Sequence, residues 1–314
     1  MRFTRVLLAV GCLLSAAPGQ WLGEKLSLLD TFGIPAGRQS LAYNNRNHTV
    51  YVSGDESDSI LVIDADRCKS IARVAVGGPV RAMCYNPAEN KLYCAYAEAD
   101  TVVAFDGTSL QILAWIGVGD SAGTICYDSI DNKMYVGNQG SSSVSVIGCA
   151  DDHLVATIDH VRGGYTWLRS NMCFVVAHTR VYVTSPRDSS VVAIDSSADT
   201  VLARIPAGRN PRAVCYNPTN DRVYCACGGD SDAVYGIDAA SNQVVSVVHQ
   251  ACADGMACDS VRNVLFIPHD DVLTVVDCSA DTVAVEVELP EYAADFAEYD
   301  PADNRIYVVH EESG

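Results

Sequence analysis

Thirteen cysteines and seven histidines give this chain of 314 residues enough soft ligands and nucleophiles for metal or thiol chemistry. Their spacing decides whether they do any. Cys225-Ala226-Cys227 is the closest cysteine pair. It falls in a β-branched run, where strand alternation is expected to send the two thiols to opposite faces and make a poor metal site. No C-x-x-C, H-E-x-x-H or phosphate loop is present. His48, His153, His160, His178, His249, His269 and His310 stand at unrelated positions and do not converge on one face.

Acidic residues cluster in short loops: Asp55, Glu56 and Asp58; Glu98 and Asp100; Asp188; Asp230 and Asp232; Asp270 and Asp271; Glu311 and Glu312. Calcium takes clustered oxygens. The D-x-D-x-D-G spacing is absent, however, and Asp and Ser are what a tight turn selects, so the turn reading is preferred. No metal or other cofactor is expected.

What positions these residues is a repeat. Tyr51, Tyr93, Tyr135, Tyr182, Tyr224, Phe266 and Tyr307 follow one another at intervals of 42, 42, 47, 42, 42 and 41 residues. One unit reads RAVCYNP, TNDR, VYCACG, GDSD, AVYGID, AASN, QVVSVVHQ from Arg212 onward. That is four short strands separated by Asn/Asp/Gly/Ser/Pro turns, with no helical periodicity. A sheet of this size cannot bury both faces alone, so copies must stack, and a ring closes without long exposed edges. The expected fold is an all-β, seven-bladed β-propeller of four-stranded antiparallel blades. Its last blade is expected to be completed by the N-terminal Leu26 to Gly37, which matches the fourth-strand pattern TVLARIPAG, and to lack a third strand. The chain ends in the loop after which that third strand should start, which favours a truncated product.

The repeat also tests the cysteines. One column holds Cys84, Cys126, Cys173, Cys215 and Cys258, and another Cys94 and Cys225, trading places with Ala and Val. They read as free buried thiols. Cys84 with Cys94 and Cys215 with Cys225 are the pairs expected to face each other across a hairpin, where a bridge is sterically conceivable.

Val181-Tyr182-Val183-Thr184, Ser189 to Asp195, Thr200-Val201 and Ile205-Pro206-Ala207-Gly208 resemble the YVTN-type β-propeller repeat. The match weakens at Cys94-Ala95 and Cys225-Ala226, at Gly148 and across Gly255 to Asp277. The resemblance spans 26–314. It implies an exported propeller of bacterial or archaeal surfaces, with the first strand of each unit on the central axis, and it implies no reaction.

Met1 to Arg5 is basic, Val6 to Ala17 apolar, and Ala17-Pro18-Gly19 fits a signal-peptidase site, so 1–19 reads as a signal peptide and 20–314 as one propeller domain secreted to the periplasm or cell surface. No other stretch is long and apolar enough to span a bilayer. Removing Arg2 and Arg5 with that segment takes the formal charge from −18 to −20, which disfavours nucleic acid. A monomer is expected.

Two groups of residues remain as a candidate site. Gln39, Arg81, Gly123, Ser170, Arg212, Gly255 and Asp295 head the first strands and should ring one mouth of the channel; two arginines among them suit a carboxylate or a glycan. Five extra residues in HVRGGYTWLRS, 160–170, bring Arg162, Tyr165, Trp167 and Arg169 over the same face. The competing reading makes the first group solvated strand ends and Trp167 a packing plug. The functional expectation is a non-enzymatic scaffold that binds a protein or glycan partner on this loop face. The alternative is a propeller enzyme, a lactonase, a lyase or a cofactor-holding oxidoreductase domain, acting through Arg81, Arg212 and Asp295.

Overall fold

A computed structural model describes residues 5–10, 27–33, 35, 39–67, 69–96, 98–161, 171–228, 232–249, 255–289, 293–300 and 305–311. They form a β-propeller of four-stranded antiparallel blades. Six blades are each built from four consecutive strands: blade 1 at 39–75, blade 2 at 82–117, blade 3 at 122–159, blade 4 at 172–206, blade 5 at 211–249 and blade 6 at 257–288. This corrects the expectation of seven such blades. The remaining repeat copy does not fold on its own; Ala293–Asp300 and Arg305–Glu311 join a composite sheet in the order Ser27–Gly33, Arg5–Val10, Arg305–Glu311, Ala293–Asp300.

The composite sheet also corrects the missing third strand. Arg5–Val10 takes that place, pairing Val6 with Val309 on one side and with Phe32 on the other. Sequence reasoning assigned these residues to a signal peptide because a strand buried in a sheet and the apolar core of a signal share one composition. Ser27–Gly33 lies outermost, as its fourth-strand pattern requires.

Burial follows the position of a strand within its blade. Second and third strands are buried on both faces, as in Thr49–Gly54 and Ser143–Gly148, because each is sandwiched between neighbouring blades. Fourth strands alternate exposed and half-buried residues, as in Thr200–Pro206. First strands touch the first strands of adjacent blades and so line the axis, whereas fourth strands scarcely meet.

Turn chemistry repeats with the blades. Asn90, Asn132, Asp221 and Asn263 precede the second strand with φ between 52° and 58°, a left-handed conformation that Asn and Asp adopt at low cost. Asp106, Asp195, Asp238 and Asp277 end third strands by accepting backbone N–H bonds from the following turn, for example from Ser109 at 2.7 Å and Ser241 at 2.8 Å.

Candidate functional site

The mouth residues share one register position, five residues before the residue that ends each first strand, an Asx except for Val175 in blade 4. In three strands this position is a β-bulge. Gly123 is the extra residue between Ala122 and Thr124, Arg212 between Pro211 and Ala213, and Asp295 between Ala294 and Phe296. Arg81 is placed equivalently, its N–H donating to Ala95 O at 2.9 Å although Ala82 already stands opposite Ala95. A bulge re-aims a side chain and leaves it outside the ladder, a device common beside binding sites. Gln39 opens its strand in regular register opposite Gly54. In blade 6 the sequence column stands one residue out, because Asp259 stands opposite Val264 as Asn217 stands opposite Arg222. The equivalent residue there is therefore Asp254, outside the described residues, and not Gly255.

Arg81 and Arg212 are half-buried. Arg212 lies against Gly228: a Cβ built on that glycine would sit 2.7 Å from Nε and 3.0 Å from Cζ. The guanidinium thus packs over bare backbone, which fixes its place at the mouth. Ser170 and the inserted Arg162, Tyr165, Trp167 and Arg169 lie outside the described residues; the connection carrying them leaves from buried Val161 and re-enters at buried Asn171, beside the first strand of blade 4.

The cysteine expectations need three corrections. Cys84 stands opposite Tyr93 and Cys94 opposite Met83, and likewise Cys215 opposite Tyr224 and Cys225 opposite Val214. Each proposed pair is one residue out of register, so its members point to opposite faces, and all four thiols are free. The second correction concerns Cys225 and Cys227. Residues i and i+2 of a strand share a face, and their sulfurs are 3.6 Å apart between blades 4 and 5. The third follows from the same misalignment in blade 6: Cys258 occupies the column of Tyr85, Tyr127, Phe174 and Tyr216, not that of Cys215.

The acidic loops serve the turns. Asp100 Oδ1 accepts the Ser121 N–H at 2.8 Å, and Asp188 accepts the Ser185 hydroxyl at 2.8 Å. Among the described residues, no three His, Cys, Asp or Glu side chains gather as metal ligands.

A set of polar latches between blades was not foreseen. The second-strand tyrosine and the cation two residues before it both reach the last turn of the next blade. Lys91 binds Cys149 O and Asp152 Oδ2, both at 2.8 Å, and Tyr93 donates to Asp152. Lys133 binds Ser196 O at 2.9 Å, and Tyr135 donates to Asp199. Tyr182 donates to Asn242 at 2.6 Å and Arg180 to Ala240 O at 3.2 Å. Arg222 meets Asp281 at 2.6 Å. The signal was in the sequence as [KR]-x-Y in five copies, four of which meet an Asp or Asn of the next unit among the described residues. Burial raises the Tyr93 and Tyr135 hydroxyls far above their usual range, so they act as fixed donors.

No protein-family model matches the chain, and no curated protein does. Among solved structures, hydrazine synthase of Kuenenia stuttgartiensis is similar over 96% of this chain and 100% of that one, with a TM-score of 0.66 and 17% sequence identity. At that identity the likeness is one of fold. With 1697 chains of solved structures matching, the fold hosts too many proteins to name an activity. Among the described residues no helix is long and apolar enough to cross a membrane.

Proposed function

We propose that this chain is an exported, non-enzymatic binding ring of the YVTN type, with 1–19 acting as a signal peptide whose cleavage would take Arg5–Val10 out of the composite sheet. Its partner is an acidic glycan or an acidic protein segment, held monovalently at the mouth where the first strands begin. The observation that carries this reading is the pair of arginines, Arg81 and Arg212, set at bulge positions of inner strands and held half-buried there. Guanidinium groups in that setting suit bidentate recognition of carboxylate or sulfate. Trp167 and Tyr165 on the inserted connection would add stacking surface to the same mouth. The overall negative charge keeps other polyanions, nucleic acid included, from binding elsewhere on the ring.

The test is an array of carboxylated and sulfated glycans and acidic peptides, probed at low and high ionic strength with the wild type, Arg81→Ala and Arg212→Ala. Binding that weakens with salt and falls at least about tenfold in either variant supports the reading. Binding that neither variant alters removes the mouth as the site.

A further inference from the structure

The seams between inner strands follow one rule with one exception. In blades 2 to 4 the residue two before the end of the first strand faces the next blade, where it meets the residue one before the end of that blade's first strand. Cys84 meets Tyr127 in the seam between blades 2 and 3. Cys126 packs with Phe174 between blades 3 and 4, and Cys173 meets Tyr216 between blades 4 and 5. These are thiol against aromatic ring, an ordinary packing contact.

Between blades 5 and 6 the aromatic is replaced. The register of the sixth blade puts Cys258 in the ring position, so Cys215 faces a second thiol. Both cysteines pack in the same seam and their strands are in contact. Both are free and half-buried, which leaves them reachable by a small reagent. Cys225 and Cys227, by contrast, are 0% and 1% exposed despite their close sulfurs.

We propose that Cys215 and Cys258 form a dithiol site that a small-molecule disulfide converts to an inter-blade disulfide, stapling blades 5 and 6. The Cys215 thiolate attacks one sulfur of the reagent RSSR, forming the mixed disulfide and releasing RS⁻. Cys258 then loses its proton and attacks Cys215 Sγ, releasing the second RS⁻. The protein loses two thiol hydrogens and two electrons, and RSSR becomes two RSH. Cys258 is held well above the usual thiol range, first by Cys215 as acceptor of its S–H and then by burial, so closure should run faster in alkaline buffer than at neutral pH. A reducing thiol reverses the reaction. The link would enclose the chain from 215 to 258, and its gain arises from restricting the unfolded state.

The experiment incubates the folded, reduced full chain with oxidised glutathione, alkylates remaining thiols, and maps linkages by peptide mass spectrometry. The expected result is a Cys215–Cys258 cross-link, no Cys225–Cys227 link, and a melting midpoint raised by about 5 °C. Cys258→Tyr, which restores the aromatic of the other seams, should fold and lose both cross-link and gain. The proposal is overturned if Cys215 and Cys258 stay free in folded protein, if they pair with other cysteines, or if the link forms only after denaturation.

Discussion

Lys133 Nζ lies 3.0 Å from Asp199 Oδ2, across the seam between blades 3 and 4, and the Tyr135 hydroxyl donates to the same carboxylate. The three groups lock a turn whose Asp199 has φ 52°, so one interaction fixes both the seam and the turn. Tyr135→Phe removes one donor and should cost about 1 kcal/mol in chemical denaturation. Asp199→Ala leaves the mostly buried ammonium with the Ser196 carbonyl at 2.9 Å and the Asp131 carboxylate at 3.9 Å, and should cost about 1–3 kcal/mol. Equal costs for both would show that the carboxylate adds nothing beyond the tyrosine.

The repeat, the four strands per unit and the outermost place of Ser27–Gly33 were legible because turn residues and β-branched runs report local structure directly. The third strand of the composite sheet was not, since Arg5–Val10 has the composition of a signal sequence and its partner lies at the other end of the chain. The thiol pairs were misjudged by a single residue. In a strand that error exchanges one face for the other, so aligning Cys258 one residue out was enough to hide the meeting of Cys215 with Cys258. The latches were invisible for another reason: [KR]-x-Y acquires meaning only once the neighbouring blade is placed. The shared register position of Arg81 and Arg212 was legible in the repeat, but its bulges were not, because an extra residue leaves no mark on composition.

Thr179 breaks a turn rule that its neighbours keep. It adopts φ 49°, ψ 53° where other blades use Asn90, Asn132, Asp221 and Asn263, and a β-branched residue pays for that conformation. The previous blade adds a second defect, since Asp128 Oδ2 is buried without a hydrogen-bond partner. At the two equivalent seams Asn86 donates to Asn132 at 2.9 Å and Asn217 to Asn263 at 2.8 Å. Thr179→Asn should therefore stabilise the ring by about 1 kcal/mol, by relieving the backbone and offering Asp128 an amide donor. A lower urea midpoint in the variant would contradict this.

Acid should weaken the blades through their third-strand caps. The Ser241 hydroxyl holds Asp238, and the Ser279 hydroxyl Asp277, below the usual carboxylate value of 3.8; Asp106 is lowered chiefly by the Ser109 N–H. A carboxylate lowered on folding contributes stability that is complete above its unfolded pKa and is lost as pH falls through the folded one. The urea midpoint should thus be flat near neutrality and decline below about pH 4. Ser241→Ala with Ser279→Ala should make that decline shallower. An unchanged slope would place the acid sensitivity elsewhere.

The composite sheet makes the N-terminal strands part of ring closure. Deleting 27–33 exposes the edge of Arg5–Val10 and removes the outermost strand of the only sheet that joins the two ends of the described chain, so the melting midpoint should drop by 10 °C or more, an estimate of roughly 3 kcal/mol or greater. An unaltered midpoint would detach this sheet from the stability of the ring. N-terminal sequencing of the exported protein addresses the signal peptide separately: a start at Gln20 would mean that the mature ring closes without Arg5–Val10.

Gly228 offers a way to disturb the mouth without removing charge. It is buried and has no positive φ, so alanine is compatible with its backbone, yet the new methyl would stand 2.7 Å from Arg212 Nε and 3.1 Å from Nη2. The contacted atoms are the end of a long side chain, which swings aside at little cost to folding. Gly228→Ala should therefore shift stability by less than about 1 kcal/mol while re-aiming the guanidinium. If Arg212 recognises an acidic glycan through a fixed bidentate geometry, the variant should lose most of the affinity that Arg212→Ala loses while retaining the salt dependence of the remaining charges. If Arg212 contributes only long-range attraction, Gly228→Ala should bind as the wild type does and only Arg212→Ala should fall. Measuring both variants on the same glycan array, at two ionic strengths, separates a shaped site from a diffuse positive field.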